Sequence, residues 1–338
     1  MKAVLLTEIG TSGNLIYKSI DTPRPANDEV LIKVKYCGLN HLDLLIKQGK
    51  RPGPKRFPHI LGSEIVGEVK IVNSKNTAVK FGDTVAVYPW TFCGKCQECL
   101  KGHENICDLG GTLGRTCWGG YAEYVTASMQ NIIKIPKNLS PDVACASLLT
   151  ATTAYHLLDR AQVKNGSTVL VTGATGGVGT FVIQLLKNRK CIVLAATSHK
   201  EKIKLLQTLG VSEIVSTDKL KEQIRKKYPG GIDYVIDIMG GTVWSDSIDL
   251  LAKNGTLVFC STTLDGSGTV NIGSAFSRQI NILGSYGGSL QDLKEALILL
   301  KKGAIKPVID TVFPLPKAKE ALEKLAGQKA FGKIILKV

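Results

Sequence analysis

Two hydrophobic patterns divide the chain. Up to about residue 125 the apolar positions fall in short alternating runs, at 30–34, 65–69 and 84–87, separated by Pro23, Pro25, Pro52, Pro54, Pro58 and Pro89. Runs this short between turn residues predict a compact β-rich domain. Beyond about residue 140 the pattern changes to continuous apolar runs at 169–172, 192–196, 213–215, 233–236, 256–259 and 281–284. Between them lie stretches of helical period, at 178–187, 200–209, 220–227 and 243–251. Strands apolar on both faces and alternating with helices predict an α/β unit, a doubly wound parallel sheet of six strands. A helix at 291–301 and a last strand at 333–338 follow, and periodicity alone leaves open whether they extend this sheet or return to the first domain.

Composition narrows the class. At 338 residues there is room for two domains or three, and 44 % hydrophobic with 21 % charged residues is a globular balance. The formal charge of +15 comes from 35 Lys against only 8 Arg, with the lysines scattered over the helical stretches. A nucleic-acid surface concentrates arginine with interleaved aromatics. The charge therefore predicts a solvated surface that draws in anionic cofactors and substrates, and argues against a nucleic-acid partner. Met1 and Lys2 lead straight into an alternating strand, which predicts no secretory leader. No apolar run approaches the roughly 18 residues that a membrane span needs. The nine cysteines are then expected as reduced thiols or metal ligands in a cytoplasmic protein.

The segment Gly173-Ala174-Thr175-Gly176-Gly177-Val178-Gly179 lies between a strand and a helix of the α/β unit. A tight turn, close backbone approach to a pyrophosphate and a helix N-terminus with free N–H groups are what a dinucleotide needs. The plain alternative is a glycine turn that packs a helix on a sheet. The next strand ends Thr197-Ser198-His199-Lys200, with Lys202 just beyond, and carries no acid at its tip to hold a ribose 2′-hydroxyl. Ser198 as donor and Lys202 as charge favour a 2′-phosphate and hence NADP; a helix cap with surface lysines is the alternative.

Cys93-x2-Cys96-x2-Cys99-x7-Cys107 places four thiols in one 15-residue lobe. Such spacing suits tetrahedral zinc, with a redox or iron–sulfur centre as the alternative. With sulfur at all four positions no site is left for water or substrate, so one structural zinc per subunit is expected. Cys191 and Cys260 fall in apolar strands and read as buried small hydrophobes.

The lobe, the Gly62-Ser63-Glu64-x-x-Gly67 segment, the glycine turn and Gly332-Lys333 together resemble the medium-chain dehydrogenase/reductase superfamily, which includes zinc alcohol dehydrogenases and quinone oxidoreductases. The resemblance spans essentially the whole chain. It implies a GroES-like β-rich catalytic domain made of 1–149 and 288–338, with the zinc lobe at 93–107, and a Rossmann NAD(P)-binding domain inserted at 150–287. It implies further that His41 reaches the coenzyme pyrophosphate, that Thr153 touches the nicotinamide and that Lys333 approaches the coenzyme phosphates. Their ordinary alternatives are a surface histidine, a threonine bonded to its own helix and a solvated lysine.

The departures from the zinc enzymes matter as much. Their catalytic zinc is held by a Cys, a His and a third ligand, usually Cys. Here the matching positions carry Asn40, Ser63 and, by alignment on residues 153–155, Leu149. Gly38-Leu39-Asn40-x-x-Asp43 resembles the quinone oxidoreductase branch instead. An alternative metal set, Cys37, His41, His59 and Glu64, is close in sequence, but Cys37 is three residues from the expected position and should face away from Asn40 on an extended strand. A substrate oxygen is then expected to be held by the Asn40 amide, by Ser63 or by backbone N–H groups near 149–153. Asp43 and Glu64 either hold Asn40 and Ser63 in place, bind a proton, or are structural carboxylates. Tyr88, Trp90, Trp118, Arg278 and Tyr286 are candidate pocket residues.

The expected activity is NADPH-dependent reduction of a quinone or an α,β-unsaturated carbonyl compound (enone or enoyl) without a catalytic zinc, because conjugation already activates the carbon that takes the hydride. The alternatives are a zinc-family alcohol dehydrogenase or aldehyde reductase, and an RNA-binding relative of the quinone oxidoreductases. The apolar run 281–284 ends the sheet as an edge that rarely stays bare, and the resemblance implies that it pairs across a two-fold axis in a homodimer or homotetramer.

Overall fold

The structure is a computed structural model that describes residues 1–10, 14–75, 78–260 and 267–338. Its chain divides into two compact units: Met1–Leu149 with Ser289–Lys301 and Pro307–Val338, and Thr150–Gly288 with Lys302–Lys306.

In the first unit the strand Glu29–Gly38 organises the rest. One edge pairs antiparallel with Glu64–Asn73; the other pairs with Tyr124–Ser128 at its start and Lys333–Lys337 at its end. Both long strands carry β-branched residues at alternate positions, and their inward faces (Val30, Ile32, Val34, Ile65, Val69) are buried in one core with Leu322, Ile334 and Leu336. The pairing sets the register of everything that follows. Gly38 lies opposite Glu64 and opposite Ile335. Continuing past Gly38 therefore brings residue 40 beside both residue 62 and residue 333. At Asn40 the chain leaves the strand and starts the helix His41–Lys47, which the hydrophobic pattern does not announce.

The second unit is a six-stranded parallel sheet. Its strands, in chain order, are β1 (Thr168–Val171), β2 (Ile192–Thr197), β3 (Glu213–Ser216), β4 (Ile232–Asp237), β5 (Leu251–Phe259) and β6 (Asn281–Gly284). Their order is β3-β2-β1-β4-β5-β6, the doubly wound arrangement, with the switch point between β1 and β4. Leu170, Leu194, Val235 and Leu257 form the core on the sheet. Two boundaries differ from expectation. The helix expected at 200–209 begins as a 3₁₀ turn, Lys200–Lys202, and becomes α only at Ile203–Thr208. The helix expected to run to residue 251 stops at Asp249, because Leu251 already pairs with Ile232 at the start of β5. No helix among the described residues is long and apolar enough to cross a membrane.

Candidate active site and metal centre

In the first unit the end of the strand Glu29–Gly38 lies in a buried polar cluster. Asn40 is 8 % exposed, and Asp43, Ser63, Glu64 and Lys333 are all buried. Asp43 staples the two chain segments that meet there. One carboxylate oxygen accepts from Asn40 N–H (2.9 Å) and from the Tyr121 hydroxyl (3.2 Å); the other accepts from Gly62 N–H (3.1 Å). Burial pushes the Asp43 carboxyl up to about 6, although these donors pull the other way. Gly62 has φ +98°, and a side chain there would lie 2.5 Å from the Tyr121 ring, so this turn requires glycine.

Glu64 accepts from Leu149 N–H at 2.7 Å with one oxygen and from Asn40 Nδ2 at 3.0 Å with the other. Lys333 Nζ donates to that second oxygen at 2.5 Å, to Asn40 Oδ1 at 2.9 Å and to Leu39 O at 2.6 Å. Thus the expected catalytic residues Asn40, Asp43, Ser63 and Glu64 do come together. Lys333, expected at the coenzyme phosphates, has its ammonium bonded within this cluster. Leu149 N–H is likewise taken by Glu64 and is not available to a substrate. The Ser63 hydroxyl is fully buried and has no hydrogen-bond partner. Tyr121, one of nine tyrosines, carried no sequence signal for its bond to Asp43.

A catalytic zinc does not fit these residues. The three matching positions offer an amide, a hydroxyl and an alkyl chain, and both Asn40 Oδ1 and Glu64 Oε2 are already bonded to an ammonium. The alternative set is not assembled either. The Cys37 thiol is buried against Gly62 and Gly120, His41 is exposed at the start of its helix, and His59 is bonded to Gly114 O at 3.1 Å. Among the described residues the only converging group of three or more Cys, His, Asp or Glu is Cys93, Cys96, Cys99 and Cys107.

Those four sulfurs lie within 4.8 Å of one another, with Cys93–Cys99 at 4.0 Å and Cys96–Cys107 at 3.9 Å. A tetrahedron with zinc–sulfur bonds of about 2.3 Å has edges of about 3.8 Å, so the lobe fits a zinc ion. Backbone N–H groups of Lys95 and Cys96 pull the Cys93 thiol down to about 6, while burial and the neighbouring sulfurs push Cys99 up to about 12. A dication would displace the proton that Cys99 keeps.

In the second unit the turn 173–179 joins β1 to the helix Gly177–Asn188, with Gly176 as N-cap. A side chain at Gly179 would lie 2.3 Å from Gly173 O, whereas one at Gly176 would meet nothing closer than 3.5 Å. The third glycine thus lets the helix pack onto the turn, and the middle one leaves the backbone open to a ligand. The N–H groups of Gly177, Val178 and Gly179 belong to the first turn, where no intrahelical acceptor exists. Thr172 donates to Asp237, whose carboxylate also accepts from Met239 N–H and Gly240 N–H, tying the ends of β1 and β4 together at the switch point. The Thr153 hydroxyl is buried without a partner, so it does not bond its own helix. These features fit a dinucleotide. At the tip of β2, Thr197 accepts from His199 N–H, Ser198 is exposed and Lys202 is buried.

The aromatic candidates lie elsewhere. Tyr88 is fully buried against Trp90 and Phe92, and Arg278 donates to the carbonyls of Ile248, Asp249 and Leu251, so both are structural. Trp118 and Tyr286 are exposed.

Comparison with known proteins adds to this geometry. The family model of the alcohol dehydrogenase GroES-like domain matches residues 26–137, and that of the zinc-binding dehydrogenases matches 177–302. An NAD-dependent alcohol dehydrogenase of Sulfolobus acidocaldarius is 32 % identical over 348 aligned residues, covering 100 % of both chains. An acryloyl-coenzyme A reductase of Metallosphaera sedula is 30 % identical over 337 residues, 99 % of each chain. The crystal structure of an NAD-dependent alcohol dehydrogenase superposes with a TM-score of 0.93 at 33 % identity, covering 100 % of both chains.

Proposed function

The chain belongs to the medium-chain dehydrogenase/reductase superfamily of oxidoreductases, and within it we propose an NADPH-dependent reductase of carbon–carbon double bonds conjugated to a carbonyl, or of quinones, that works without a catalytic metal. The observation that carries this reading is the chemistry of this buried cluster. The positions matching the zinc ligands hold a lysine-bound amide and a free, buried Ser63 hydroxyl. Stabilising an alkoxide from an unactivated alcohol calls for a metal or a comparable device. A conjugated acceptor asks for less. A reduced nicotinamide, held by the glycine turn, would supply the hydride that such an acceptor takes at its β-carbon. The electron pair of the double bond moves to the carbonyl oxygen, where Ser63 Oγ donates to the developing enolate, and water then protonates the α-carbon. Asp43 holds the Ser63 and Asn40 segments in register, and Asn40 is a positioning residue, since both ends of its amide are bonded to Lys333 and Glu64.

NADPH is proposed over NADH because no acid stands at the tip of β2. The name of the Metallosphaera sedula relative favours an enoyl thioester among the possible acceptors. The alcohol dehydrogenase names favour the second reading, interconversion of an alcohol and a carbonyl. A structural zinc in the four-cysteine lobe, a two-fold assembly and a reducing cytoplasmic setting complete the proposal; all nine cysteines are free thiols. The test is a turnover screen of enones, enoyl thioesters, quinones, aldehydes and alcohols with both coenzymes, with metal quantified in the same preparation. Enone, enoyl or quinone reduction with one zinc per chain supports the reading. Primary alcohols as best substrates, stopped by chelation, would replace it with the second.

A further inference from the structure

The buried cluster contains a cation of its own. Lys333 is 3 % exposed, and Leu39 O, Asn40 Oδ1 and Glu64 Oε2 take the three N–H bonds that an ammonium can offer. No N–H remains for a coenzyme phosphate. A buried ammonium persists only with full hydrogen bonding and a countercharge, and Glu64 is that countercharge. Its place is set by strand pairing: Ile335 lies opposite Gly38, so Lys333 falls opposite Asn40. Gly38 keeps the space clear, since a side chain there would lie within 2.4 Å of Glu64 Oε2. The ammonium thus occupies acceptors that an ion entering between positions 40 and 64 would need.

We infer that Lys333 is a built-in cation of this cluster, which excludes a divalent metal and, as a positioning residue, holds the Asn40 amide against Glu64. The positioning half rests on the proposed reduction; the exclusion half does not.

Exclusion is read by metal binding. Asn40→His places a metal-ligating side chain next to Glu64. With zinc already in the lobe, this variant is expected to take up no second metal from micromolar cobalt(II). Asn40→His with Lys333→Gln should bind one at least about tenfold more tightly, seen in the visible spectrum and in metal content. Lys333→Met serves in the same role if the glutamine variant does not fold. Equal cobalt uptake with and without Lys333, or none in either, would overturn the exclusion.

Positioning is read with Lys333→Met/Glu64→Gln, which removes both charges together and strands neither. For an enone, kcat should fall about tenfold while the coenzyme dissociation constant stays within about twofold, and Lys333→Arg should recover part of kcat. Loosened coenzyme with kcat retained would return Lys333 to the coenzyme phosphates and overturn this half. A wild-type protein that reduces no enone would remove the proposed function, yet leave the cobalt comparison valid.

Discussion

Ser63 and Asn40 divide two roles that residue types alone could not separate. Ser63→Ala removes an unpartnered buried hydroxyl, so stability should be unchanged or slightly raised, while kcat on enones falls by about 10²–10³ if Ser63 donates to the oxyanion. Asn40→Ala strips one partner from each of two buried charges and should cost about 1.5–3 kcal/mol of stability, measured by urea unfolding. The reverse pattern would make Asn40 the donor. Asp43 adds a pH signature. Its carboxyl stands at about 6 in the fold against an ordinary 3.8, so between those values the folded chain holds a proton that the unfolded chain has lost. Stability contributed by Asp43 is therefore full below about pH 4 and declines by about 3 kcal/mol as the pH rises to about 6. The urea midpoint of wild type, compared with that of Asp43→Asn across this range, should narrow with rising pH; a widening gap would mean that Asp43 is ionised in the fold. The amide, hydroxyl and alkyl side chains at positions 40, 63 and 149 were legible because a motif either carries a given residue type or lacks it. Lys333 was not, since a lysine at the head of a strand looks solvated until the partner strand places Glu64 and Asn40 around it.

Among elements, the six parallel strands were legible because each is a short apolar run closed by glycine or polar residues, and the four inner ones, β2, β1, β4 and β5, are largely buried on both faces. The helix His41–Lys47, the strand Ile309–Pro314 and the helix Ala318–Ala326 were not. They are short, and they form where tertiary pairing completes a sheet or covers its face, which local period does not record. The cysteine lobe has little secondary structure and almost no apolar burial, with only the short helix Gln97–Leu100 and a 3₁₀ turn between its ligands. Its order should then depend on the metal. Cys96→Ser should release zinc from a protein that otherwise holds about one per chain, and lower the melting temperature. Retained zinc with unchanged melting would refute a structural site there. The β2 tip gives a second test at this scale. Ser198 is exposed where an acid would select NADH, so Ser198→Asp should weaken NADPH by about tenfold or more and leave NADH equal or tighter. A parallel loss for both coenzymes would show that this tip does not read the 2′-phosphate.

At the scale of the whole molecule, the β6 edge of the six-stranded sheet matters most. β6 ends the six-stranded sheet with no strand beyond it among the described residues, and its residues are exposed or only partly buried. The helix Ile272–Arg278 directly precedes it and carries Ile272 and Phe276, 80 % and 81 % exposed. Four residues apart on a helix, these two side chains share one face. Unpaired strand groups next to large exposed apolar side chains favour association, and a two-fold axis at β6 would satisfy both at once by joining two sheets into one. Each copy also carries a formal charge of +15, so association opposes a long-range repulsion that salt screens. Light scattering at micromolar concentration should give at least twice the 36.3 kDa chain mass, and dilution at low ionic strength should dissociate the assembly sooner than dilution at high. Phe276→Glu with Ile272→Lys should yield a monomer that still binds coenzyme, because β6 lies three strands from β1 and its glycine turn. A wild-type monomer at every salt concentration would show that the edge stays bare. A dimer that tightens at low salt would place the contact on some other, oppositely charged surface.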